Sequence, residues 1–288
     1  MEVSIVIPAL NEEEGIGLVL DTVKKVMDRT KIKYEVIVVN DGSVDKTAEI
    51  AKKKGALVIN HPTNAGYGAA LMTGMQRTKY QNIAILDADG TYPVKEIPNL
   101  LRFMEKGFDL VIGARTGKFL RYIWFKQPVR YIFKLISEFV AGTKIPDPNS
   151  GFRIYKRSVI LPLLGSRSCR GFSFSTSTTL IFLLEGKFVK FVPVDYFSRK
   201  GKSKIKFLRD ALRAGQILTE TIAYYNPFKL FLLMFLLFFL LALVSLTVYV
   251  FNRSILVLVL FSLFFFSGVL SFCFGLMMSA FKKGGKND

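Results

Sequence analysis

The chain has 288 residues, with 40 Lys and Arg against 22 Asp and Glu, one His and two Cys. Half of it is hydrophobic (51%) while 22% is charged, so the apolar residues must be segregated from the charged ones. Intrinsic disorder, a collagenous chain and a disulfide-stapled secreted module are excluded.

In chain order, the β-branched run from Val3 to Pro8 predicts a first strand. The acidic turn Asn11-Glu-Glu-Glu14 and a helical pattern through Val26 follow it. This start is too short and too acidic for a signal peptide, so the globular part is expected on the cytoplasmic side. Tyr34 to Val39 predicts a second strand, and Asp41-Gly-Ser43 turns into a helix for which Asp45 is the better N-cap. Ala56 to Asn60 and Asn82 to Leu86 predict two more strands, separated by a Gly-rich helix entry at Asn64 to Leu71. Asp109 to Gly113 predicts a fifth. Regular alternation of strand and helix predicts an α/β fold with a mostly parallel, doubly wound sheet, whose ligands bind at the carboxyl ends of the strands. Glu12, Asp41, Asp87, Asp89 and Arg115 fall in the loops at those ends.

Beyond the fifth strand, Pro128 to Ala141 has helical spacing, with Lys126, Arg130 and Lys134 recurring every four residues. Asp147 to Arg153 reads as a loop entering a strand, and Phe188 to Phe197 as another strand. Leu208, Leu212, Gly215, Leu218 and Ile222 form the inner face of an amphipathic helix leading to Pro227. Leu230 to Phe251 and Ile255 to Phe281 contain no charged residue, and each exceeds the roughly 20 residues a bilayer-spanning helix needs. The inter-helix turn carries Arg253 alone and the tail carries Lys282, Lys283 and Lys286, which predicts both hairpin ends in the cytoplasm. The expected organisation is a cytoplasmic catalytic domain over 1–227, with interfacial helices at about 118–141 and 205–226, and a multi-pass transmembrane hairpin over 228–288. Cys169 and Cys273 fall in different regions and are expected as free thiols. The sequon Asn252-Arg253-Ser254 hugs the membrane and is expected unmodified.

Most of the cationic surplus lies in two windows. Arg115, Lys118, Arg121, Lys126, Arg130 and Lys134 interleave with aromatic residues including Tyr122, Trp124 and Phe133, a mixture that favours a membrane interface over nucleic acid. No nucleic-acid partner is expected, and a homo-oligomer is left open. The second window begins at Arg199-Lys-Gly-Lys-Ser-Lys204, which reads equally as a phosphate-clamping loop or a solvated basic patch. Asp87-Ala-Asp89 directly follows a predicted strand. Two carboxylates so spaced can hold one hard divalent cation against a diphosphate, and Gly90 permits close approach. Asp41 is suited to accept hydrogen bonds from a nucleobase or ribose. His61, the only histidine, has no second His or nearby Cys to support a metal site or a triad, so a structural role is expected.

Taken in order, Ile7-Pro-Ala-Leu-Asn-Glu-Glu13, Val39-Asn-Asp-Gly-Ser-Val-Asp45, Leu86-Asp-Ala-Asp-Gly-Thr-Tyr-Pro93, Gly113-Ala-Arg115, Ser150-Gly-Phe-Arg153 and Gly201-Lys-Ser-Lys204 resemble family 2 glycosyltransferases. The similarity is nearest to the dolichyl-phosphate mannose and glucose synthases, and it covers about residues 2–206. It implies a GT-A fold, a Mg²⁺ or Mn²⁺ ion, a nucleotide-sugar donor (GDP-mannose or UDP-glucose type) and a polyprenyl phosphate acceptor in a cell or ER-type membrane. By that resemblance Pro8, Leu10, Glu12, Val39 and Asp41 would line the nucleotide site. Asp87, Ala88 and Asp89 would meet the diphosphate and metal, with Asp89 the direct ligand. Arg115, Arg199 and Lys204 would hold phosphates of donor or acceptor. Apart from the resemblance, Arg130 and Lys134 on the interfacial helix are the candidates for guiding the acceptor's phosphate, and Asp147 is a candidate either to shape the sugar pocket or to cap its loop. Mannose synthases of the family usually carry Leu-Gln after the carboxylate pair, whereas this chain has Gly90-Thr91 and so lacks an expected metal-side amide. A lipid phosphate is already largely dianionic at neutral pH, its second pKa being about 6, so no strong general base is required. The alternatives are a glycosyltransferase acting on a glycolipid or polysaccharide and a silent membrane-tethered scaffold. The lone Trp124 does not supply the Gln-x-x-Arg-Trp motif of processive synthases.

Overall fold

The computed structural model describes residues 1–116, 128–164, 174–197, 215–216, 219–220 and 222–284. The chain divides into two compact units, residues 1–217 and 218–288. Among the described residues the first has seven strands: β1 (Glu2–Ala9), β2 (Lys33–Asn40), β3 (Leu57–Asn60), β4 (Asn82–Ile85), β5 (Leu110–Thr116), β6 (Arg153–Lys156) and β7 (Val189–Asp195). They form one sheet in the order β3-β2-β1-β4-β6-β5-β7. Its helices are α1 (Ile16–Met27), α2 (Thr47–Lys53), α3 (Tyr67–Gln76), α4 (Ile97–Glu105), α5 (Pro128–Ala141), α6 (Arg157–Leu163) and α7 (Phe174–Leu184), with a 3₁₀ turn at Val94–Glu96.

β1 is buried along its length after Glu2, as a strand covered on both faces must be. Its side chains alternate: Val3, Ile5 and Ile7 join the cluster formed with α1 and α4, whereas Val6 faces Gly74 of α3 on the other side. The sheet is therefore wound on both faces. Six strands run in one direction. β6 runs against them, pairing antiparallel with both β4 and β5, so the sheet is mixed. The reversal has a consequence for the site. In the β4–β6 register Ile85 lies opposite Arg153 and Asn82 opposite Lys156, so β6 begins where β4 ends. The loop that enters β6 shares an edge with the loops that leave the parallel strands.

That loop is held from inside by Arg153, which has no exposed surface. Nε donates to Ser150 O at 2.6 Å, Nη2 to Pro148 O at 2.9 Å, and Nη1 to Ser175 O at 2.6 Å and Thr179 Oγ1 at 2.8 Å. Burying a cation away from water is costly unless its donors are satisfied. The Ser- and Thr-rich start of α7 supplies the acceptors. Thr178 and Thr179 donate back to Phe174 O and Ser175 O, each at 2.8 Å, leaving hydroxyl lone pairs directed inward. Tyr155 Oη meets Thr178 Oγ1 at 2.8 Å and completes the polar layer.

The second unit contains α8 (Pro227–Asn252) and α9 (Ile255–Gly284). Asn226 caps α8 through its side chain, which accepts from Lys229 N, and Arg253 ends it in the left-handed conformation. The helices pack as an antiparallel hairpin: Gly275 faces Phe231 and Phe228, and Gly268 faces Phe238 and Phe235. A Cβ at Gly275 would lie 2.9 Å from Phe231 Cβ, so a small residue there sets the helix separation. Apolar stretches of 26 and 27 residues make both helices long enough to cross a bilayer. Cys273 is a free, exposed thiol, and Cys169 lies outside the described residues.

Arg153→Met removes the inner tie and strands the carbonyls of Pro148, Ser150 and Ser175. The expected cost is about 3–5 kcal/mol, read as a lowered unfolding temperature of the purified chain. An unchanged unfolding temperature would contradict the assignment.

Candidate active site at the carboxyl edge of the sheet

The loops after β1 and β2 are stitched to each other. Asn11 adopts φ 48°, a left-handed conformation Asn tolerates. Its N–H donates to Ser43 Oγ at 2.9 Å, and its Oδ1 accepts from Val44 N at 2.9 Å. Glu12 N donates to Thr47 Oγ1 at 2.8 Å. Asp45 is not the N-cap expected from sequence, since Lys46 holds that position of α2; instead its Oδ1 accepts from Thr47 N at 3.0 Å and its Oδ2 accepts from Glu13 N at 3.2 Å, tying the two loops together. These bonds fix Glu12 at the edge. Leu10 beside it is half-buried, whereas Pro8 and Val39 are buried, Val39 within a cluster with Ile37 and Ala70.

Asp41 is buried at the end of β2, and its carboxylate is used by the protein itself. Oδ1 accepts from Ala65 N at 2.9 Å and from His61 Nδ1 at 2.7 Å, and Oδ2 accepts from Gly66 N at 2.9 Å. His61 Nε2 lies 3.0 Å from Thr73 Oγ1. The histidine thus bridges Asp41 to α3, which gives the structural role expected of it a definite form. Asp41 in turn anchors the first turn of α3.

The carboxylate pair follows β4 directly. Asp87 Oδ1 accepts from Tyr67 Oη at 3.1 Å. Burial, reinforced by Asp87, pushes the Tyr67 hydroxyl well above its ordinary pKa, so it remains a donor. Asp89 is buried, and its Oδ1 accepts from both Thr91 N at 3.1 Å and Thr91 Oγ1 at 2.7 Å. Two glycines grip this turn from either side. A Cβ at Gly15, ahead of α1, would lie 2.7 Å from Ala88 O, and one at Gly151 would lie 2.8 Å from Asp87 Oδ2. Neither glycine nor Tyr67 nor Thr91 is a candidate in the sequence reading. The glycines are visible in the motifs, but only the fold shows what they abut. Among the described residues no three potential metal-ligating side chains cluster. Two hard carboxylates are a donor set that suits an oxygen-liganded divalent ion.

Arg115, at the end of β5, pairs with Asp147. Nε donates to Asp147 Oδ2 at 2.7 Å, Nη2 donates to Oδ1 at 2.9 Å, and Arg115 N donates to Oδ2 at 3.1 Å. Asn149 N adds a bond to Oδ1 at 3.2 Å. The guanidinium also lies 5.2 Å from the Tyr196 ring. Burial pushes the Asp147 carboxyl up, but Arg115's charge and hydrogen bonds more than offset it, and the net direction is down. Tyr92 closes the layer: its Oη accepts from Gly151 N at 2.8 Å, and burial raises its pKa against the opposing charge of Arg115. Asp87, Ala88, Asp89, Arg115 and Asp147 are thus brought to one edge, joined through the Gly151 loop. Arg199 and Lys204 lie outside the described residues. Arg130 is in the first turn of α5, and Lys134 Nζ lies 3.7 Å from Glu138.

A mixed sheet with helices on both faces and a carboxylate pair at the exit of its fourth strand defines a GT-A glycosyltransferase. The family model for Glycosyl transferase family 2 matches residues 4–163, more than half of the chain, and the chain belongs to that family. A low-salt glycan biosynthesis hexosyltransferase of Haloferax volcanii is 31% identical over 215 residues, 73% of this chain and 51% of that protein. A dolichyl-phosphate hexose transferase of the same organism is 28% identical over 205 residues, covering 71% and 86% respectively. An undecaprenyl-phosphate 4-deoxy-4-formamido-L-arabinose transferase of Serratia proteamaculans is 31% identical over 169 residues, covering 57% and 51%. The chain thus spans about half the length of some relatives and most of others. Among solved structures, glucosyl-3-phosphoglycerate synthase of Mycobacterium tuberculosis, in complex with Mn²⁺, UDP and glucosyl-3-phosphoglycerate, superposes with TM-score 0.62 at 19% identity, covering 76% of this chain and 79% of that one.

Two outcomes are expected from the site geometry. Gly151→Ala pushes a methyl into the Asp87 carboxylate, and displacing this candidate-site group by about 1 Å is expected to cost on the order of a hundredfold in sugar transfer. Wild-type transfer by this variant contradicts the packing. Because Asp147 is held below the ordinary aspartate value of about 3.9, its contribution to stability is complete above that pH and is lost as pH falls through the lowered folded value. Asp147→Asn should lower stability at neutral pH and flatten the acid limb of a stability-versus-pH curve. An acid limb identical to wild type contradicts the pairing.

Proposed function

We propose that the chain transfers a sugar from a nucleotide-sugar donor, of GDP-mannose or UDP-glucose type, to a polyprenyl phosphate at the cytoplasmic face of a membrane. The observation that carries this reading is the Asp87–Asp89 pair at the β4 exit, facing Arg115 and Asp147 across the Gly151 loop. The names of two relatives, a dolichyl-phosphate hexose transferase and an undecaprenyl-phosphate transferase, support a polyprenyl phosphate as acceptor. The UDP and Mn²⁺ held by the structural neighbour support a nucleotide-sugar donor and a divalent ion. A membrane location is supported by the apolar hairpin and by α5, where Tyr131, Leu135 and Phe139 form an exposed stripe at helical spacing.

In the proposed reaction an oxygen of the lipid phosphate forms the new bond to the anomeric carbon as the bond from that carbon to the donor's diphosphate breaks. The nucleoside diphosphate departs with the electron pair, and the anomeric carbon is inverted. The attacking oxygen is already anionic, which suits an edge whose single histidine is committed to Asp41. Asp87 and Asp89 would hold Mg²⁺ or Mn²⁺, which supplies positive charge to the departing diphosphate. Asp147 holds Arg115 in a fixed position at the edge, while Arg199 and Lys204 are proposed for phosphate contacts and Arg130 and Lys134 for guiding the acceptor. The catalytic domain is proposed as 1–227, anchored by the hairpin of 228–288.

The test supplies purified chain with polyprenyl phosphate, Mg²⁺ or Mn²⁺, and labelled GDP-mannose, UDP-glucose or UDP-GlcNAc. Metal-dependent label in organic-extractable lipid, abolished by EDTA and by Asp89→Ala, is the expected outcome. Wild-type turnover by Asp89→Ala removes the metal argument. Absence of label with every donor shifts the acceptor to another class.

A further inference from the structure

Among the described residues, Asp87 accepts a hydroxyl from Tyr67 and Asp89 one from Thr91, and each hydroxyl stands on backbone that is anchored independently. Tyr67 is the first residue of α3. The two residues before it donate their N–H groups to Asp41, Ala65 to Oδ1 and Gly66 to Oδ2, both at 2.9 Å. That anchorage fixes the ring that reaches Asp87 Oδ1 at 3.1 Å. Thr91 is almost wholly buried, and its carbonyl accepts from Phe197 N at 3.0 Å, so β7's exit holds it in place. Its N–H and its hydroxyl both close on Asp89 Oδ1. Thr91 stands where the family resemblance leads one to expect a metal-side amide, and here the side chain turns back onto the carboxylate.

We infer that Tyr67 and Thr91 are positioning residues that set the orientation of Asp87 and Asp89 toward a divalent cation, each through the hydroxyl it donates to that carboxylate's Oδ1. The inference rests on the metal-dependent reading of the site proposed above. Carboxylates that ligate metals are held by outer hydrogen bonds, and loss of one such bond typically costs 10–100-fold in metal affinity.

The variants Tyr67→Phe and Thr91→Val keep ring and shape and remove only the hydroxyls. Isothermal titration of the purified full chain with UDP and with GDP, each metal-free and then as its Mn²⁺ complex, gives the factor by which metal tightens nucleotide binding. Each variant should cut that factor roughly tenfold or more, leave metal-free binding unchanged, and raise the apparent KM for Mn²⁺ with kcat recovered at saturating metal. Thr91→Ser should restore the wild-type factor. A factor unchanged in folded Tyr67→Phe and Thr91→Val overturns the inference. Equal loss of metal-free and metal-bound nucleotide overturns it in favour of a structural role. If wild type itself shows no tightening by Mn²⁺, the metal-dependent reading fails and the inference fails with it.

Discussion

The Arg153 guanidinium lies wholly inside the first unit, bonded to Pro148 O, Ser150 O, Ser175 O and Thr179 Oγ1. Its hydrogen-bond partners are neutral, so the stabilisation comes from geometry, with every short bond also fixing a piece of backbone. The backbone so fixed is the loop entering the one reversed strand. Gly151 then meets Asp87, Asp147 meets Arg115, and Tyr92 bonds Gly151 N. A buried charge that requires many acceptors is an efficient way to make a loop rigid, because loss of any one acceptor is costly.

The same loop shapes the charge balance at the edge. Asp147 neutralises Arg115 within the site, and Asp41 is engaged by His61 and two amides. Asp87 and Asp89 add two carboxylates to the edge, and the proposed donor and acceptor carry phosphates. Such an arrangement favours a divalent cation between protein and diphosphate, with further positive charge drawn from the basic windows. Preorganisation of the carboxylates then matters more than their number. A metal held by two protein oxygens depends on how well those oxygens are aimed.

Much of this was legible in the sequence. The β-branched runs match the first four strands to within one residue, because hydrophobic periodicity and the Asp- and Gly-rich turns agree at each boundary, whereas β5 continues three residues past its expected end at Gly113. The ordered motifs placed Asp41, Asp87, Asp89 and Arg115 at one edge, since parallel strands deliver their exit loops there. What the sequence could not display was the reversal of β6, because a short apolar strand reads the same in either direction. Hence the Ser150-Gly-Phe-Arg153 motif was visible while its position against Asp87 was not. Tyr67 and Thr91 were hidden for a related reason. A tyrosine opening a helix and a threonine after an acidic turn are ordinary residues until tertiary contact brings a carboxylate to their hydroxyls. The pairing of Arg115 with Asp147 was likewise hidden, because the two lie thirty-two residues apart in the chain.

The central claim is that the β4 exit is where metal and nucleotide diphosphate meet. A structure of the chain with Mn²⁺ and UDP or GDP, with anomalous difference density collected at the manganese edge, tests it most directly. The expected result is a single strong peak beside Asp89, within ligand distance of a diphosphate oxygen and with the Gly151 loop in place. An ordered manganese and nucleotide bound elsewhere, with Asp87 and Asp89 turned away from both, would contradict it.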